Sequence, residues 1–227
     1  VTGDGYGPAG DVLLAGKKPG AEDTAPLLEL ATVLLGCNNS HLVEENGDWH
    51  TVGDPTEGAL LSAGAKAGGN RKQIEADLPK HHAIPFDSDR KRNTVIRRMG
   101  DGRLRALING APDVLLELCT EISTGTGVRP MTDEDRRSIE TQNTAMAEQA
   151  LRVLGSAYRD LDNAPPSELT AEAVERDLVF VGLTGMYDPP RQEAKDAVAK
   201  CRAAGIRVVM ITGDHPHTAK AIAQVIG

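Results

Sequence analysis

From Thr24 onward Leu27, Leu30, Ala31 and Leu34 fall on one face at helical spacing, and Gly36 stands near the end of the run. That spacing predicts a helix whose apolar stripe faces a core. His41 to Glu44 and Asp48 to Val52 then read as extended segments around Glu45-Asn46-Gly47, and Asn-Gly between two such runs predicts an antiparallel hairpin. At the next helix start, Asp54 caps, Pro55 takes the first helical position and Glu57 completes an acidic capping box. Gly68-Gly69 stops this helix, and a second short one follows.

His82 to Phe86, Asn93 to Met99 and Arg103 to Ile108 read as a meander of strands, the last two joined through Gly100-Asp101-Gly102. Pro112 starts a helix carrying Val114, Leu115 and Leu118. Thr132 and Asp135 open a longer one reaching roughly Leu151, and a strand runs from about Val153 to Tyr158. At the front, a Gly-rich lead (Gly3 to Pro8) enters a short apolar piece at Val12 to Leu14, read as a linker and first strand.

After the surface excursion from Ala164 to Asp177 the pattern changes. Leu178 to Leu183 is nearly continuous apolar sequence, Gln192 to Ala204 is helical, Ile206 to Ile211 is apolar again, and His217 to Ile226 is helical. Apolar strands alternating with helices predict a parallel sheet covered on both faces. The expected fold class is therefore an α+β domain (antiparallel sheet with flanking helices) over residues 1–177, then an incomplete α/β parallel-sheet segment over 178–227. Two strands cannot complete such a sheet, so further strands are expected from outside the sequence.

Composition narrows the function classes. Hydrophobic residues make up 40% of the 227, enough for a core, and the net charge of −8 argues against nucleic acid, whose phosphates are bound by clustered Lys and Arg. Cys37, Cys119 and Cys201 are far apart and odd in number, which suggests neither a disulfide framework nor a zinc site. His215 and His217 have no acidic or thiolate neighbour and are assigned no metal. The longest apolar run, Leu27 to Cys37, is interrupted by Glu29 and is about half the ~20 residues that cross a bilayer. A cytosolic setting without direct membrane contact is expected.

The candidate chemistry sits near the end of the chain. Asp188-Pro189-Pro190-Arg191 precedes a helix-length interval, the strand-like Arg207 to Ile211, and then Thr212-Gly213-Asp214. Beyond the carboxyl ends of strands, helix N-termini direct N–H groups at anions, so Thr212, Gly213 and Asp214 are candidate phosphoryl-site residues. Taken alone, Thr-Gly-Asp reads equally well as a turn with a helix cap. Together with Asp-Pro-Pro-Arg at this spacing, it resembles the phosphorylation domain of P-type cation-transporting ATPases.

Three earlier segments extend the resemblance in the same order. Gly53-Asp54-Pro55-Thr56-Glu57 resembles the acidic motif beside that family's adenine pocket, Phe86-Asp87-Ser88-Asp89-Arg90-Lys91 the segment whose aromatic ring stacks on adenine, and Asn109-Gly110-Ala111-Pro112-Asp113 its Lys-Gly-Ala-Pro-Glu loop. The resemblance implies an ATP site at Thr56, Glu57, Phe86, Lys91, Asn109, Gly110 and Arg152. Phe86 would supply the flat apolar face adenine needs, Glu57 an acceptor for the exocyclic amine, and Lys91 a charge. Gly110 would let backbone approach the ring, and Arg152 would offer a guanidinium fork to phosphate. Each has a plainer reading: a core Phe, a cap at Glu57, a solvated strand end at Arg90 to Arg92, and helix-dipole compensation at Arg152. Asn109 departs from the family lysine and removes a positive charge, which predicts weaker ATP binding.

In such pumps an aspartate of an Asp-Lys-Thr-Gly-Thr segment attacks the γ-phosphoryl of Mg-ATP. Neither that segment nor the family's later Gly-Asp-Gly-x-Asn-Asp metal site occurs in this sequence. The resemblance thus implies the nucleotide-binding part of a pump, inactive by itself. Its partners would be the remaining phosphorylation, actuator and transmembrane domains, on the cytoplasmic side of a membrane, with calcium the first assignment for the ion. Two alternatives are a haloacid dehalogenase-type phosphatase with a cap domain and a non-catalytic interaction module. ATP binding separates the first reading from both.

Overall fold

Local signals set most of the elements in the computed structural model, which describes residues 1–3, 5–149, 151–161, 168–187, 192–211, 220, 223, 226 and 227. Helix α1 (Ala21–Gly36) buries Ala31, Val33, Leu34 and Leu35. Strands β1 (His41–Glu45) and β2 (Asp48–Val52) pair antiparallel. Asn46 and Gly47 between them both have positive φ, at 55° and 91°, as a two-residue turn matched to strand twist requires. Helices α2 (Pro55–Lys66) and α3 (Arg71–Asp77) follow. Their N-caps, Asp54 and Asn70, accept backbone N–H bonds from the first turn, satisfying donors that have no partner within the helix.

The main sheet has seven strands in the order β3-β4-β5-β8-β9-β6-β7. They are β3 (Lys80–Asp87), β4 (Arg92–Arg98), β5 (Leu104–Gly110), β6 (Cys119–Thr124), β7 (Gly127–Pro130), β8 (Arg152–Leu161) and β9 (Leu178–Met186). Helices α4 (Pro112–Leu118), α5 (Asp133–Glu148), α6 (Ala171–Val174) and α7 (Gln192–Ala203) lie between and after them in sequence. The ladders β3·β4, β4·β5, β5·β8 and β6·β7 are antiparallel, while β6 and β9 run parallel. The chain divides into two compact units, residues 1–136 with 154–184, and residues 137–153 with 185–227. The first unit is thus an α+β body built on a mixed sheet.

Register places one apolar row across the first unit's sheet: Ala83 faces Val95, Val95 faces Leu107, and Leu107 faces Tyr158. Val33 and Cys37 of α1 pack on this row, with Val179 beside it. The opposite face carries Ile96, Ala106, Ile108 and Ala157, all fully buried. Arg97 is also buried, at 2% exposure; its Nε donates to the last carbonyl of α1, Gly36 O (2.8 Å), and its Nη1 to Leu78 O (2.7 Å) after α3. One side chain thereby satisfies carbonyls at two helix ends.

Several expectations are corrected. Val12 to Leu14 forms no strand, only an isolated bridge between Leu14 and Lys17. The hairpin β6–β7 was not read from Cys119 to Pro130. β9, expected to open a separate parallel sheet beyond residue 177, joins the first unit's sheet beside β6, with Leu178, Val179 and Phe180 all buried. Ile206 to Ile211 is not a strand. No described strand lies alongside to complete its backbone hydrogen bonds, and its side chains are exposed, Val209 at 70% and Ile211 at 94%. The expected helix from His217 falls mostly outside the described residues.

Leu107→Ala is expected to cost about 2–5 kcal/mol, the usual range for emptying a fully buried leucine site, and denaturant unfolding checks this. Burial pushes the Cys37 and Cys119 thiols up to about 12, while Cys201 is only half-buried. Only thiolate reacts readily, so an aromatic disulfide reagent at pH 8 is expected to label Cys201 first and the other two only on unfolding.

Candidate nucleotide site

At one end of the sheet β3 finishes, β4 begins and β5 finishes, which brings the Phe86, Lys91 and Gly110 segments side by side. The β3–β4 turn is built on Asp87. Its Oδ1 accepts the N–H groups of Arg90 (2.9 Å) and Asp89 (3.0 Å), and these bonds hold its carboxyl below the ordinary value. Lys91 has φ +51°, an uncommon left-handed conformation for a non-glycine residue. Its N–H donates to Asp87 O (2.7 Å) and its carbonyl accepts from Ala111 N (3.0 Å). Among the described residues its ammonium makes no ion pair.

Phe86 is 66% exposed, so the core reading for this ring does not hold. Gly110 pairs with Arg92 on one side and Gly155 on the other. A Cβ there would lie 2.5 Å from Arg92 Cβ and 2.8 Å from Lys91 O, so only glycine fits. The close approach enforced at Gly110 is thus to the start of β4 and the residue before it.

Glu57 sits in the first turn of α2, next to the half-buried Thr56. Its Oε2 accepts from Ser40 Oγ (2.8 Å) and Asn39 N (3.1 Å), and Asn93 Nδ2 stands 3.5 Å from Oε1. The expected capping box is not reciprocal. Asp54 N donates to Ser40 Oγ (2.9 Å), so the Ser40 hydroxyl relays between the cap and Glu57. An ionised carboxylate has about four acceptor sites, which leaves Glu57 capacity for one more donor.

Asn109 is fully enclosed. Its Oδ1 accepts from Ser156 Oγ (2.8 Å) and its Nδ2 donates to Cys37 O (3.3 Å), with the residue 2% exposed. The amide is therefore committed to tying α1 to β8. Arg90 and Arg92, expected as a solvated strand end, are instead bonded to the buried carboxylate of Glu175. Arg152 belongs to the second unit, where it opens β8 exposed and without an ion pair among the described residues. Thr212, Gly213, Asp214, Asp188 and Arg191 lie outside the described residues.

Ser40, Asn93 and Glu175 were missed by sequence reasoning. Ser40 carries no motif, and Glu175 was absorbed into an acidic stretch. A cavity of about 230 Å³ lies elsewhere, among Leu28, Glu29, Thr32, Arg105, Leu107 and Tyr158. Its polar groups are already matched, Arg105 to Asp160, with the guanidinium 4.3 Å from the Tyr158 ring centre, and Glu29 to Ser123. The aromatic, cationic and carboxylate groups gather instead at the open sheet end. No helix among the described residues is long and apolar enough to cross a membrane.

Comparison with known proteins gives the family. The family model for the P-type ATPase cytoplasmic domain N matches residues 26–193. The chain is 38% identical over 224 residues to a calcium-transporting ATPase of Bacillus subtilis and 40% identical over 238 residues to the cation-transporting ATPase pma1 of Synechocystis. It is 38% identical over 236 residues to a probable cation-transporting ATPase F of Mycobacterium tuberculosis. These matches cover 99–100% of this chain and 25% of each relative, so the chain spans about a quarter of their length. A match of that extent through the sheet end just described shows that the chain belongs to the P-type cation-transporting ATPases, as their cytoplasmic N domain.

Proposed function

We propose that this chain binds ATP at the sheet end bearing Phe86, Lys91, Thr56 and Glu57, and presents it for phosphoryl transfer within a cation pump. The observation that carries the proposal is Phe86: a 66% exposed phenylalanine at the end of β3, just before a turn built on Asp87 that carries Lys91, whose ammonium makes no ion pair among the described residues. An aromatic ring so displayed stacks a flat base, and the adjacent ammonium attracts phosphate. Glu57 has acceptor capacity left for the exocyclic amine. For Arg152, in the second unit, a phosphate-directed role rests on the family pattern alone, and Gly110 acts by letting β4 and β5 close together at Arg92.

The nucleotide would arrive with Mg²⁺, whose role is to neutralise charge on the phosphates. The phosphoryl-accepting aspartate would belong to a segment this sequence does not contain, so the stretch by itself should not turn over ATP. Thr212, Gly213 and Asp214 would support the phosphoryl group, as parts of an incomplete haloacid dehalogenase-like segment. Calcium is the first assignment for the transported ion, on the strength of the relatives' names. Membrane carboxylates outside this chain would make that choice.

Calorimetric titration with ATP and ADP, with and without magnesium, tests the proposal. Saturable binding is expected, weakened by roughly 5- to 150-fold in Phe86→Ala, since stacking on an aromatic side chain contributes about 1–3 kcal/mol per base. Equal affinity in the variant would remove Phe86 from the site. Asn109→Lys is expected to tighten ATP by about tenfold, the order of one charge-assisted hydrogen bond. It should also lower the thermal midpoint, because the bonds to Ser156 and Cys37 are lost. An unchanged ATP affinity would show that charge at this position does not reach the nucleotide.

A further inference from the structure

The side chain of Glu175 has 0% exposure although it carries a charge. It follows α6, a single turn whose N-cap Thr170 accepts from Ala173 N (3.4 Å) and whose carbonyls at Ala173 and Val174 accept from Arg159 Nη1 of β8 (3.0 and 3.3 Å). The turn thus fixes the Glu175 backbone to the sheet. Oε1 accepts from Arg90 Nη1 and Thr94 Oγ1, both at 2.6 Å, and Oε2 from Arg92 Nε at 2.7 Å.

Each guanidinium then continues to a carbonyl of the β3–β4 turn. Arg90 Nη2 donates to Pro85 O (2.5 Å), the residue before Phe86. Arg92 Nη1 donates to Arg90 O (2.8 Å), the residue before Lys91. A single carboxylate, 85 residues from Arg90 in sequence, therefore reaches the backbone just ahead of both groups displayed to the ligand. The planar fork of arginine makes these links directional.

The ladder between β4 and β5 is complete from Arg92 to Arg98 without this cluster. Buried ion clusters are also often no more stabilising than apolar residues of the same volume. What the cluster adds to the turn's own bonds at Asp87 and Lys91 is a tie from residues 85–92 to a distant part of the body. We infer that Glu175 is a positioning residue for nucleotide binding: through Arg90 and Arg92 it holds the turn so that Phe86 and Lys91 face the ligand. This inference rests on the nucleotide reading above.

The test compares the wild-type chain, Phe86→Ala, Glu175→Gln and the double variant in titrations with ATP and with adenosine, which has no phosphate. Glu175→Gln keeps the side-chain shape, and its expected effect is a loss of about tenfold for both ligands, because it acts on the base-stacking ring. In the double variant the Phe86→Ala loss should shrink to less than about threefold, the non-additivity of residues acting through one another. Arg90→Lys keeps the charge but cannot span the carboxylate and Pro85 O together, and the same pattern is expected from it. It serves as the test if Glu175→Gln does not fold.

Hydrogen exchange of the Asp89 and Arg90 amides, read without ligand, should speed up in either variant while core amides hold. Unchanged exchange overturns the bracing role whatever ATP does. Affinities within twofold of wild type, or losses that multiply in full, overturn the link to the ligand. Absence of ATP binding by the wild type overturns the nucleotide reading itself, and this inference with it.

Discussion

The central residues of strands β4 and β5 are buried on both faces, and each buried polar side chain there must find its partner inside the protein. Leaving a buried donor or acceptor unpaired costs about 1–3 kcal/mol, more for a charge. Asn109, Arg97 and Thr94 all meet this condition by reaching to other elements: Asn109 to the end of α1 and to β8, Arg97 to the carbonyls ending α1 and following α3, and Thr94 to Glu175. Each such bond fixes a helix or turn relative to the sheet. The polar positions that look out of place in a core are therefore the ones that place the covering elements.

The same constraint leaves room for exposed side chains at the strand ends. Along β4 the central residues are enclosed, whereas β3 beside it is exposed at both ends. Phe86 stands at the end of β3, and the turn after it closes on one backbone bond, Lys91 N to Asp87 O. It borrows rigidity from Asp87 and Glu175. A site at a loop tip is thus tied to the rigid body beneath it, which limits the entropy that would otherwise be lost on ordering it around a ligand.

Elements with local signatures were legible in the sequence. The Asn46-Gly47 turn, the Asp54-Pro55 helix start and the periodic stripe of α1 each declare themselves within a few residues. Phe86, Glu57 and Lys91 were legible only as parts of a family pattern, since none has a signature alone. What was lost depended on pairing between distant residues. Ser40 joins Glu57 across 17 positions, Glu175 joins Arg90 across 85, and β9 finds its parallel neighbour β6 some 60 residues earlier in the chain. The Ile206 to Ile211 run was read as a strand because its pattern is local, whereas strandhood depends on neighbours.

That run has a consequence for how the isolated stretch behaves in solution. Ile206-Arg207-Val208-Val209-Met210-Ile211 combines β-branched and apolar residues with a single charge and no proline, and most of it is exposed. Beyond Ile206, whose N–H is bonded to Cys201 O, an exposed apolar segment of this kind is the sequence type from which intermolecular β-assembly grows. At high concentration these six exposed residues favour association of the isolated stretch, against the repulsion between whole molecules that the net charge of −8 supplies.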